Sequence, residues 1–129
     1  MGEMVVNCEA LIDRLEADAP ILRGLIGGVP LEQAAWTPAP EAWSILEIAV
    51  HLLDEEIQDF RTRLGLTLSD PDADWPPIDP QGWVRQRDYA RRDLEETLKT
   101  FIFERAVSVS WLRGLSSPSW TNVHEHPLG

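Results

Sequence analysis

The chain has 129 residues, 22 of them acidic and 11 basic, for a formal charge of -11. That length suits one domain around one core, and that charge opposes attraction to nucleic-acid phosphates or anionic membrane surfaces. The one cysteine, Cys8, excludes an intramolecular disulfide and points to a reducing compartment, so a cytoplasmic location is expected. The first 20 residues carry acids from Glu3 onward and lack a basic segment ahead of an apolar run, so no secretory signal is expected. No uninterrupted apolar stretch approaches the roughly 20 residues that span a bilayer.

From about Met4 to Ile26 the apolar residues Cys8, Leu11, Ile12, Leu15, Leu22, Leu25 and Ile26 recur every three or four positions, the stripe of an amphipathic helix. Pro20 lacks an amide hydrogen and crowds the preceding turn, which predicts a kink or break near Ala17 to Ala19. Gly27 and Gly28 supply a stop. Pro30 suits the first turn of a short helical piece through Ala35, and Pro38 and Pro40 keep the segment from Trp36 to Ala42 extended or turned.

Ser44 followed by Glu47 has the spacing of a capping box. Ile45, Ile48, Ala49, Leu52, Phe60 and Leu64 then predict a second helix to about Leu66, roughly 34 Å long at 1.5 Å per residue. The stretch from Asp70 to Pro80, rich in proline and aspartate, reads as a surface connection. A third helix is expected to open between Gln81 and Val84 and, on Leu94, Leu98, Phe101, Ile102, Val109 and Leu112, to run to about Leu115. The serines and proline from Ser116 to Ser119 end it, leaving Trp120 to Gly129 as a tail. Strict strand alternation and internal repeats are lacking. Three long amphipathic helices argue for an all-α antiparallel bundle in one domain over residues 1–129. Three helices where four would close a core leave an apolar groove, which favours a homodimer or an added segment, the homodimer being the expected state.

Among residues able to carry chemistry, His51 lies on the second helix with Glu47 and Glu55 one turn to either side. Imidazole beside carboxylate suits a divalent metal; equally, His51 reads as a hydrogen-bonded bundle residue, with Glu47 capping and Glu55 solvated. His124 and His126 alternate in the tail and read as solvated loop histidines, with capture of a metal as the alternative. Trp36, Trp43 and Trp120 flank proline-rich turns and are expected to seal the core. Arg87, Arg91, Arg92 and Arg105 could grip an anion, but their spacings to Asp88, Glu95 and Glu96 support ordinary pairs within the helix. Cys8 reads as a small buried apolar residue. A Gly-rich phosphate loop, a CxxC pair, a G-x-S-x-G elbow and a Ser/His/Asp order are all lacking.

The string AAWTPAPEAWSILEIAVHLLDEE, Ala34 to Glu56, resembles the DinB-like (YfiT-type) superfamily, whose second bundle helix carries W-S-x-x-E-x-x-x-H-L. The match falls on Trp43, Ser44, Glu47, His51 and Leu52. Phe60, Arg61, the aspartate-rich loop, Tyr89, Arg105 and the closing His126-Pro127-Leu128-Gly129 follow the family's order. The resemblance implies a four-helix bundle holding a divalent metal, nickel or zinc, through three histidines. His51 corresponds to the first; the other two belong to an H-D-x-x-H motif on a last helix that the sequence to Gly129 does not contain, so the domain reads as C-terminally incomplete.

Two functions follow from the resemblance and the pattern. One is a divalent-metal-dependent enzyme of the thiol S-transferase or hydrolase kind, acting on a small molecule, with His51 as metal ligand and the thiol cofactor left open. The other is a non-catalytic bundle that dimerises or pairs through its uncovered groove. Neither catalytic nor cofactor-binding residues are assigned by the sequence.

Overall fold

Side-chain caps open each long helix of the computed structural model, which describes residues 7–128. Asn7 Oδ1 accepts the Ala10 N–H at 3.0 Å to begin α1 (Cys8–Ile26). Ser44 and Glu47 form the full capping box before α3 (Ile45–Asp54), with bonds of 3.1 and 3.0 Å. Asp93 Oδ2 accepts the Glu96 N–H at 2.9 Å before α6 (Leu94–Gly114). Each cap satisfies a backbone donor that the helix itself leaves unpaired. Short helices α2 (Leu31–Ala35) and α5 (Pro80–Gln86) lie in the connections.

The second long helix is continuous over residues 45–69 but not uniform. After α3 it widens into a π-helical stretch, Glu55–Arg61, and returns to α-helix in α4 (Thr62–Ser69). Thr62 Oγ1 donates to the Ile57 carbonyl at 2.9 Å, occupying an acceptor within the widened turns. Such inserts often accompany functional positions, and this one begins four residues after His51.

Two expectations are corrected. Pro20 does not break α1, which runs continuously from Cys8 to Ile26. Pro20 itself is exposed, and Ala19 beside it is buried at 3% exposure. The predicted third helix is not continuous: α5 ends at Gln86, a single 3-10 turn spans Tyr89–Arg91, and α6 starts only at Leu94. The break is made by Asp88, whose φ of +49 places it in the left-handed region and turns the chain. That turn buries Tyr89 completely, at 0% exposure. The expected helix start at Met4 lies outside the described residues.

The core runs along α6 in three clusters. Leu94 and Leu98 pack with Leu46, Ala49 and Val50 of α3, with Ala34, and with Trp83 and Tyr89 of the crossover. Phe101 meets Ala19 and Leu53 at the middle. Val109 and Leu112 meet Ile12, with Phe60 and Leu64 against them, at the far end. Burying such a side chain contributes about 1.5–3 kcal/mol, so the clusters fix helix direction as well as position. Residue numbers rise together along α3–α4 and α6 but oppositely along α1. The α3–α4 helix is therefore parallel to α6, and α1 is antiparallel to both.

The all-α bundle of three long helices stands, with this refinement of the strictly antiparallel arrangement. Two parallel neighbours need a connection that returns the length of the bundle, and residues 70–93 provide it, carrying α5 and the 3-10 turn. Among the described residues there is no strand, and no helix is long and apolar enough to cross a membrane.

Candidate functional site

His51 sits on α3, two turns after the capping box, where the helix face turns from core toward surface. Its side chain is 23% exposed, and its Nδ1 is buried without a hydrogen-bond partner, 3.8 Å from Glu55 Oε1. The Trp43 ring packs against the imidazole with centroids 4.8 Å apart and planes tilted by 57°. Burial holds the His51 pKa below the usual 6.5, while the negative charges of Asp54 and Asp59 pull it back up. The ring is thus neutral at pH 7, the form that donates a nitrogen lone pair to a metal.

Glu55 is not solvated, as the sequence suggested, but half-buried. Loss of solvation raises its pKa to about 7, helped by a shared hydrogen bond and charge repulsion from Asp59, and opposed by Arg63. Arg63 Nε in turn lies 3.1 Å from Asp59 Oδ1. His51, Glu55, Asp59 and Arg63 therefore form an ionisable row, each four residues after the last.

The neighbouring carboxylates have other duties. Glu47 Oε1 accepts the Ser44 N–H and completes the cap. Asp54, buried at 9% exposure, accepts a very short hydrogen bond from the Tyr89 hydroxyl and pairs with Arg87 Nη1 at 3.1 Å. Burial and the Asp54 carboxylate push the Tyr89 pKa up. A cleft of 890 Å³ beside α3 is lined by Trp43, Glu47, Arg85 and Asp88 among others, so Trp43 touches both this cleft and His51.

The predicted intrahelical pairing is corrected for Arg87 and Arg105. Arg105 Nε reaches across to Glu56 Oε1 at 2.8 Å and its Nη1 donates to the Leu15 carbonyl at 2.9 Å, joining all three long helices. Arg87 lies outside α6, pairs with Asp54 and stacks over Trp83, 3.9 Å from the ring centroid. Arg61, noted in the sequence only for its place in the family's order, donates to Ser108 Oγ at 3.0 Å and to Glu104 at 2.7 Å. None of these partners lies at helical spacing, so no sequence period signals them.

Core sealing by tryptophan holds least for Trp36, which is 66% exposed, and for Trp120, at 40%. Trp43 is half-buried, and Trp83 is the tryptophan in the main core cluster. Cys8 is half-buried and not a core residue. His124 and His126 are not simply solvated: they pack on Trp75, at 4.3 Å stacked and 5.6 Å edge-on. That cluster lies beside Arg63, twelve residues and about 18 Å along the helix from His51. Neither tail histidine joins His51.

Among the described residues no group of three or more His, Cys, Asp or Glu is arranged to hold a metal ion. His51 and Glu55 offer one unpaired imidazole nitrogen and one carboxylate, short of the three protein ligands of a catalytic zinc-type site.

Residues 14–129 match the DinB superfamily. No curated protein matches the chain. Among solved structures the chain is similar to YfiT from Bacillus subtilis, described as a probable metal-dependent hydrolase with an unusual four-helix bundle topology. The TM-score is 0.82 at 18% sequence identity, with 98% of this chain and 74% of that chain covered.

Proposed function

We propose that this chain, which belongs to the DinB superfamily, serves a divalent-metal-dependent hydrolase or thiol S-transferase acting on a small molecule, with His51 as one metal ligand. The observation that carries this reading is the buried His51 Nδ1 without a hydrogen-bond partner, on a neutral ring held by Trp43. A buried imidazole nitrogen left unpaired costs free energy in a purely structural role, and a metal would use it. Bound nickel or zinc would lower the pKa of a coordinated water or thiol toward neutrality. Glu55 beside it, with a pKa near 7, exchanges a proton at the pH where such chemistry operates. The reading requires the remaining ligands to come from outside residues 7–128.

Elemental analysis after chelator-free purification tests it. Nickel or zinc well above about a tenth of an equivalent per chain is expected, falling several-fold in His51→Ala. Less than about a tenth of a metal per chain, with no gain when nickel or zinc is added, rejects the proposal.

A second reading, a non-catalytic homodimerisation module, is favoured by the outer face of α6. Phe103, at 64% exposure, and Val107, at 37%, align with Trp111 as a ridge of large apolar residues. Ala106, Ser110 and Gly114 form a row of small residues beside it, lining the same 660 Å³ groove. A second copy across a two-fold axis could seat each large ridge in the other's small row. Sedimentation checks this: a dimer at micromolar concentration that Phe103→Glu converts to monomer is expected, and a wild-type monomer excludes it.

A further inference from the structure

The far end of the second helix carries a group of hydrogen-bond donors that the proposed metal chemistry does not use. Arg63 is only 8% exposed, although it is a cation. Its guanidinium lies 4.7 Å above the Trp75 ring. Asp59 Oδ1 is 3.1 Å from Arg63 Nε, yet that N–H makes no hydrogen bond, and the Trp75 Nε1–H is likewise buried without an acceptor. Buried donors of this kind each cost free energy until an acceptor reaches them.

The tail adds a further mismatch. The Leu128 N–H lies 3.1 Å from His126 Nδ1, and Arg63 Nη1 lies 3.4 Å from His126 Nε2. A neutral imidazole accepts at one nitrogen only, so these two donors cannot both be satisfied by it. In the tautomer that accepts from Leu128, Arg63 Nη1 and His126 Nε2 face each other as two donors, and an oxygen within reach of both converts that contact into two hydrogen bonds.

The surroundings are built rather than incidental. Asn122 Nδ2 donates to the Thr67 and Leu68 carbonyls at 3.1 and 3.3 Å, and His124 donates through Nδ1 to the Pro71 carbonyl at 2.8 Å. These bonds fasten the tail onto the end of α4 and the loop after it. The resulting cavity, 360 Å³, has Phe60, Leu64 and Trp75 as its apolar lining, with Arg63, His126, Asp59 and Thr67 as its polar residues.

We infer that the cavity between Arg63, Trp75 and His126 binds a small monocarboxylate with an apolar body. The carboxylate would accept from Arg63 Nη1 and His126 Nε2, beside the Arg63–Asp59 pair, and the body would lie against Phe60, Leu64 and Trp75. Asp59 on the same wall, within a chain of charge -11, disfavours a dianion such as phosphate. The volume falls at the lower end of small-molecule sites, which limits the ligand to a few tens of atoms at most.

Benzoate is the probe, titrated into the 15N-labelled full chain while the Trp75 indole N–H resonance, assigned by its loss in Trp75→Phe, is followed. A saturable shift with a Kd of about 1 mM is expected, with benzyl alcohol and inorganic phosphate about tenfold weaker or more. Arg63→Met should weaken benzoate about tenfold. His126→Ala, at an exposed position with less risk to folding, should weaken it at least about threefold. His51→Ala should leave the titration unchanged, so this site and the metal proposal fail separately. The inference is overturned by no saturable shift up to about 20 mM benzoate, by benzyl alcohol or phosphate binding as well as benzoate, or by unchanged benzoate affinity in folded His126→Ala.

Discussion

Arg105 and Glu56 form a buried ion pair, Nε to Oε1 at 2.8 Å, with the carboxylate residue only 3% exposed. The same guanidinium donates to the Leu15 carbonyl, so one side chain ties α1, the π-helical stretch and α6 together. Removing the cation strands a buried charge, which typically costs about 3–5 kcal/mol. Arg105→Ala should therefore lower the urea-unfolding free energy by that amount. The double variant Glu56→Gln with Arg105→Met should lose clearly less, because no charge is left unpaired. Equal losses in the two variants would mean that packing of the arginine stem, and not the ion pair, supplies the stability.

The pH response of Glu55 has a definite sign. Its carboxyl holds a proton more firmly in the folded chain, with a pKa raised from 4.5 to about 7. The stabilising contribution of protonation is fully present below pH 4.5 and is lost as pH rises through 7. Glu55→Gln mimics the protonated form. With chelator present, it should match the wild type near pH 4 and exceed it at pH 8 by on the order of 1–3 kcal/mol. Thermal melts across that range measure the difference; a constant gap at every pH would show that Glu55 titrates normally.

Asp88 carries the turn that breaks the predicted third helix. At φ +49 a β-branched side chain meets its own backbone, costing about 1–2 kcal/mol, whereas glycine does not. Asp88→Val should lower stability by about that amount while Asp88→Gly should leave it within about 0.5 kcal/mol of the wild type. Denaturant midpoints provide the comparison, and equal behaviour of the two variants would locate the constraint elsewhere.

Tyr89, fully buried, donates its hydroxyl to Asp54, which Arg87 also engages. Tyr89→Phe keeps the ring and removes one donor from a buried carboxylate, an expected loss of about 1–3 kcal/mol. The Asp54→Asn, Tyr89→Phe double-mutant cycle should show coupling of at least about 0.5 kcal/mol, and additive losses would refute a direct bond.

The elements were legible in the sequence wherever the controlling interaction is local. The α3 cap follows from Ser44 and Glu47 three residues apart, and the amphipathic stripes follow from the 3.6-residue period. The W-S-x-x-E-x-x-x-H-L pattern identified the scaffold for the same reason: Trp43 and Ser44 lead into the cap, and Glu47 and His51 follow one turn apart on the helix it opens. The short break at Asp88 was not legible, since the apolar pattern on either side of it continues.

What the sequence alone determined is thus an all-α bundle and the capped start of its second long helix at Ser44, while it nominated His51 as a metal ligand from the motif. The tertiary structure alone decided that the second and third long helices run parallel, that Arg105 pairs with Glu56, and that Glu55 is held near neutral pKa. It also brought Arg63, Trp75 and His126 together. The Arg105 and Glu56 partners are 49 residues apart and those of Arg63 and His126 are 63 apart. Contacts at such separations carry no periodicity; they form because buried apolar clusters along α6 set the helix directions first, and polar side chains then pair with what those directions bring near.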